Sequence, residues 1–145
     1  MVICIFGESC TGKSTLASLL GERLGATVFT GKDFLRLAKD EASARQAFQK
    51  KLQEAVTGKH AVYVTAEKEH LSLLPEGAVR VLATADLDTI RQRFASRMRG
   101  NLPAPVAAML ERSHGSFDTE PHEFHLISGE TDLEELCNQI VSLAK

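Results

Sequence analysis

The 145-residue sequence lacks any apolar run near the roughly 20 residues that cross a bilayer, which argues against a membrane span. It has no excess of either charge: a formal net charge of -2 gives no general attraction to nucleic acid or anionic lipid, so any positive site must come from local clustering. Cysteine is scarce. Cys4, Cys10 and Cys137 are odd in number and widely spaced, which fits neither a disulfide framework nor a zinc site and points to a reducing cytoplasm. No internal repeat and no low-complexity stretch interrupts the chain, and only a short apolar stretch precedes the first glycine, which leaves no room for a leader peptide. Two further absences bear on function. No N-K-x-D stretch is present, and no aspartate ends the apolar run AVYVT.

What remains is an ordinary composition, 43% hydrophobic and 25% charged, at the length of one domain with a real core. Short apolar runs alternate with helical patterns. Strands are predicted at Val2 to Phe6, Thr27 to Thr30, Ala61 to Thr65, Val79 to Thr84 and about Glu123 to Ile127. Between them, Leu16, Leu19, Leu20 and Leu24 recur at helical spacing from Ser14, with Gly25 as a C-cap. Phe34 to about Val56 reads as one long helix or two, with Phe34, Leu37, Ala38, Phe48, Leu52 and Ala55 on one stripe. A short helix is predicted from Glu67 to Leu74, a longer one from Asp86 to Met98, another through Met109 and Leu110, and a last from Thr131 to Ala144. Ser113 to Pro121 reads as a polar loop. The expected fold is a three-layer α/β/α domain over residues 1–145, with a five-stranded parallel sheet.

One octet carries the chemistry. GESCTGKS, residues 7 to 14, fits G-x-x-x-x-G-K-[ST] and lies between a predicted strand and a predicted helix, the context that makes this phosphate-binding motif credible. Gly7 and Gly12 let the backbone turn so that the N–H groups of Glu8, Ser9, Cys10, Thr11 and Thr15 can face phosphate at the positive end of a helix. Lys13 is expected to reach the outer phosphates, and the Ser14 hydroxyl to coordinate magnesium. Cys10 is read as a small residue whose backbone does the binding, although a helix end can also lower a thiol pKa. Farther on, RQRFASRMRG places Arg91, Arg93, Arg97 and Arg99 close together, with Arg93 and Arg97 on one helix face, a cluster able to neutralise a transferring phosphoryl group or simply to suit a helix C-terminus.

With the N-terminal phosphate loop, the RQRFASRMRG helix end and the late FDTEPHEFHLI segment, the sequence resembles the small P-loop kinases, among them adenylate, cytidylate, shikimate and gluconate kinases. The resemblance covers nearly the whole chain and implies ATP and Mg2+ as cofactors and a nucleoside monophosphate or small hydroxylated metabolite as acceptor. It implies that Arg93 flanks the adenine, that Arg97 touches phosphate, that Arg99 lies in a lid at about residues 97–120, and that Ser128, Gly129 and Glu130 line the base. On the acceptor side, TGKDF places Asp33 where such kinases have the second aspartate of a D-x-D stretch, with Gly31 in place of the first. Asp33 is thus a candidate base or acceptor contact and equally a helix N-cap. Glu67 is the nearest carboxylate to the missing Walker B position. The alternative expectation is an ATP-binding module or weak ATPase that acts as a sensor. No nucleic-acid or membrane partner is expected, and the oligomeric state is left open.

Overall fold

Every residue of β1 (Val2–Gly7) is buried, as a strand covered on both faces requires. In the computed structural model, which describes residues 1–144, this strand is the centre of a five-stranded sheet. Its companions are β2 (Thr27–Thr30), β3 (Ala61–Thr65), β4 (Val79–Thr84) and β5 (Phe124–Ile127). The order is β2-β3-β1-β4-β5, and every neighbouring pair is parallel. The expected three-layer α/β/α architecture is therefore the observed one.

Side-chain alternation along β1 sorts the core into two layers. Val2, Cys4 and Phe6 face one way and join Ala44, Phe48, Leu52 and Ala55 of α2 (Glu41–Thr57). Ile3 and Ile5 face the other way and meet Leu16, Ala17 and Leu20 of α1 (Lys13–Leu24) and Leu136, Cys137 and Ile140 of α5 (Leu133–Ser142). Phe48 is wholly buried, with ring centroids 5.6 Å from Phe34, 5.3 Å from Phe29 and 4.9 Å from Tyr63. Burying such a side chain contributes roughly 2–3 kcal/mol. A third, smaller cluster of Ala85, Ile90 and Leu110 holds α3 (Leu87–Arg97) against α4 (Ala104–Ser113).

The stretch read as one helix or two is two elements. Asp33–Leu37 is a 3-10 helix, Ala38 is extended, and α2 restarts where the Asp40 side chain accepts a hydrogen bond from the Ser43 amide. The predicted helix after β3 is likewise a 3-10 segment, Lys68–Leu73. Asp86 and Asp132 cap α3 and α5 in the same way as Asp40 caps α2. The start of α1 is different: Gly12, at φ 90°, has no side chain to offer, so its first N–H groups remain for an external partner. At the other end of α1, Gly25 takes the expected C-cap position at φ 63°.

Two features of the region between α3 and β5 were not apparent from residue pattern. The end of α3 closes as a Schellman turn, with the Gly100 amide donating to the Ala95 carbonyl and the Arg99 amide to the Ser96 carbonyl. Arg99 occupies its left-handed position at φ 60°. The segment read as a polar loop is pinned at its middle, where Phe117 is buried with its ring 5.8 Å from that of Phe6. Among the described residues, no helix is long and apolar enough to cross a membrane.

Candidate functional site: a phosphate loop at the end of the sheet

β1 stops at Gly7 because nothing larger fits. A Cβ there would lie 2.1 Å from the Ala83 carbonyl oxygen of the neighbouring strand. The loop that follows folds around its own lysine. Lys13 Nζ donates to the Gly7 carbonyl at 3.0 Å, the Glu8 carbonyl at 2.5 Å and Thr11 Oγ1 at 3.3 Å. Thr11 Oγ1 in turn donates to the Glu8 carbonyl at 2.8 Å. Burial brings the Lys13 pKa down to about 8, with the Arg97 guanidinium pushing the same way and the Glu8 carboxylate opposing. Cys10 adopts φ 64°, a left-handed conformation that disfavours any side chain, and its carbonyl accepts a 2.9 Å hydrogen bond from Arg93 Nη1. The loop is thereby tied to α3.

A cavity of about 670 Å³ opens over this loop, a size suited to a nucleotide-like ligand. Ser9, Cys10, Thr11, Gly12, Lys13, Ser14 and Thr15 form its floor, and Arg93 and Arg97 stand over it from α3. The ends of β2 and β3 contribute Thr30, Gly31, Val64, Thr65 and Ala66, while the end of β5 and the loop beyond contribute Leu126 to Gly129. This is the C-terminal edge of the parallel strands, where open α/β sheets bind ligands.

Most of the residues singled out in the sequence come together here, and some do not. Gly7 and Glu8 lie behind the floor, with their carbonyls on Lys13. Glu130 is absent from the lining, as are Asp33 and Arg99. Asp33 lies just beyond Gly31, but its carboxylate is turned back to accept from the Thr30 amide and the Thr30 hydroxyl, each at 3.0 Å. These bonds hold it below the usual carboxylate range, the Thr30 amide most of all. Asp33 is the first residue of its 3-10 helix and Lys32 is the N-cap.

At the end of β3 the place of the missing aspartate is taken by Thr65, a buried hydroxyl that accepts from the Glu67 amide at 3.1 Å and meets His70 Nδ1 at 3.1 Å. The Glu67 carboxylate is drawn to the buried His70, 3.3 Å from Nε2. Among the described residues, no carboxylate lines the cavity. Of the residues that pattern reading passed over, Thr30, Thr65 and Ala66 end or immediately follow strands, where the strand-end rule for α/β sheets would have pointed to them, while Thr131 and Leu133 lie at the start of α5.

No protein-family model matches the chain, and no curated protein sequence does. Solved structures do resemble it. Shikimate kinase from Acinetobacter baumannii, in complex with shikimate, superposes with a TM-score of 0.64 at 16% identity, covering 99% of this chain and 92% of that one. The YorR protein of Bacillus subtilis, in complex with phosphorylated GDP, gives 0.62 at 21% identity over 99% and 95%. A gluconokinase from Sinorhizobium meliloti gives 0.58 at 14% identity over 97% and 89%. The chain has the P-loop NTPase fold of the shikimate and gluconate kinases.

Proposed function

We propose that this protein is a magnesium- and ATP-dependent kinase that transfers a phosphoryl group to a small-molecule acceptor, either a nucleoside monophosphate or a hydroxylated metabolite. The observation that carries the reading is the placement of Arg93 and Arg97 on the same cavity as the phosphate loop. Charge spread over a transferring phosphoryl group needs preorganised cations around it, and a protein that only holds nucleotide has little use for them. The uncapped first turn of α1 supplies N–H groups for the inner phosphates. Lys13, released from its own carbonyls, reaches the outer ones, and Gly129 borders the base.

Magnesium fits this site on limited terms. Ser14 is exposed at the start of α1 and faces the cavity, so its hydroxyl would hold the ion, with phosphate oxygens and water completing the shell. When bound, the ion would offset phosphate charge. Asp33, next to the cavity-lining pair Thr30 and Gly31 although not itself in the lining, would serve the acceptor side. A carboxylate held low in pKa orients an acceptor hydroxyl better than it removes its proton. In the lid-like segment at about residues 97–120, Gly100 to Pro105 would be the flexible part that brings Arg99 towards the phosphates, while Phe117 keeps the far end of the segment fixed on Phe6.

One observation favours a second reading, a nucleotide-binding module or slow ATPase: no carboxylate lines the cavity among the described residues. The two readings separate in one experiment. Protein, magnesium and ATP are incubated with a panel of nucleoside monophosphates, shikimate, gluconate and related alcohols, and product masses are read with Lys13→Ala as control. A phosphorylated acceptor that disappears in the control supports the kinase. Bound ATP with no phosphorylated product supports the module.

A further inference from the structure

Glu8 is a carboxylate inside a loop built to receive phosphate. Its side chain is only 9% exposed, and an unpaired negative charge there would oppose any polyphosphate bound a few ångströms away. Both of its oxygens are taken up by one distant segment. Oε1 lies 3.1 Å from His114 Nδ1 and Oε2 3.3 Å from the Gly115 amide. Since a carboxylate only accepts, the His114 Nδ1 must carry the proton and donate.

The segment that supplies these donors is firmly set. His114 follows the last residue of α4, and Gly115 turns the chain at φ 80°. Turn hydrogen bonds run from the Ser116 amide to the Ser113 carbonyl and from the Asp118 amide to the Gly115 carbonyl. Phe117 anchors the segment in the core against Phe6, next to the first glycine of the loop. On its far side Lys68 donates to the Ser116 carbonyl at 3.2 Å and pairs with Glu120 at 3.4 Å. The donors that meet Glu8 are therefore held in place independently of Glu8.

We infer that His114 is a positioning residue for the phosphate loop: together with the Gly115 amide it draws the Glu8 carboxylate away from the phosphates and offsets its charge, so that the segment after α4 sets the affinity for nucleotide. The inference rests on the proposed function in requiring that the loop bind nucleotide phosphates. It assigns no step of transfer to His114, which acts only through Glu8.

The test is a double-mutant cycle on magnesium ATP binding, read by calorimetry, with His114→Ala and His114→Asn each made in the wild-type and Glu8→Gln backgrounds. In the wild-type background His114→Ala weakens ATP binding by about tenfold, because the carboxylate keeps one donor in place of two, and His114→Asn, which keeps a side-chain donor, weakens it by less. Glu8→Gln alone tightens binding by roughly threefold. With glutamine at position 8, the His114 substitutions change affinity by less than about twofold. Equal losses in both backgrounds, or none in either, overturn the inference while leaving nucleotide binding intact. If the wild-type protein binds neither ATP nor inorganic triphosphate, the proposed function fails and the inference falls with it. Should His114→Ala prove unstable, the same cycle is run with His114→Phe, which keeps the ring's bulk and removes the donor, and an equal loss in the wild-type and Glu8→Gln backgrounds overturns the inference.

Discussion

Nucleotide binding should draw a proton from solution above neutral pH, and the reason lies in how Lys13 is held. The side chain is buried beneath its own loop, and its pKa falls from an ordinary 10.5 to about 8. At about pH 9 such a group is roughly one-tenth protonated. Phosphate oxygens against the amine favour the charged form and return the pKa towards its ordinary range, so binding takes up about 0.9 proton at that pH and about 0.1 at pH 7. Calorimetric titration of ATP in two buffers of different ionisation heat measures this directly. The same shift governs stability without ligand. Below about pH 8 the amine is charged in both folded and unfolded chains, and burying it costs about 3 kcal/mol. As pH rises from 8 towards 10.5 the folded chain sheds this proton before the unfolded one, so the contribution of Lys13 makes stability rise with pH across that window. Lys13→Met removes both the uptake and this slope. Equal proton uptake at about pH 7 and pH 9 would refute the reasoning.

Three substitutions probe other parts of the account. Arg93→Ala removes the guanidinium that both lines the cavity and donates to the Cys10 carbonyl. It should lower kcat on the order of 100-fold in steady-state assays, and an unchanged kcat would remove Arg93 from the mechanism. Arg99→Gly replaces an exposed residue at φ 60° with one that adopts this conformation freely. Urea unfolding should show a gain of about 1 kcal/mol, and a loss would mean that Arg99 makes a stabilising contact. Phe117→Ala empties the anchor of the segment after α4. It should cost about 3 kcal/mol in the same measurement, and a change under about 0.5 kcal/mol would show that the segment is held by other means.

Much of this molecule was legible in its sequence because the decisive signals are local. The motif GESCTGKS carries its own structural context, and the central strands read as apolar runs because both of their faces are covered. The stripes of α1 and α2 reached the core as spaced. What escaped reading depends on contacts between residues far apart in the chain. Glu8 and His114 are separated by 106 positions, and nothing in either neighbourhood announces the other. Phe117 sits among Gly, Ser, Asp and Thr, a composition that says loop, and only the sheet gives it a partner in Phe6. Asp33 reads equally as an acceptor contact or an N-cap. Its carboxylate took a third course, bonding back to Thr30, because the turn after β2 brings the Thr30 amide and hydroxyl within its reach. The break at Ala38 carried a usable signal in Asp40 and Ser43, a capping pair that marks a fresh helix start.

The central claim is that phosphate leaves ATP for an acceptor and not for water. The most direct measurement incubates the protein with magnesium ATP and a small-molecule extract in heavy-oxygen water, and follows the γ-phosphate by mass. The account predicts a new organic phosphate without solvent oxygen, lost with Lys13→Ala. Inorganic phosphate carrying solvent oxygen as the sole product would contradict it and assign the protein to hydrolysis.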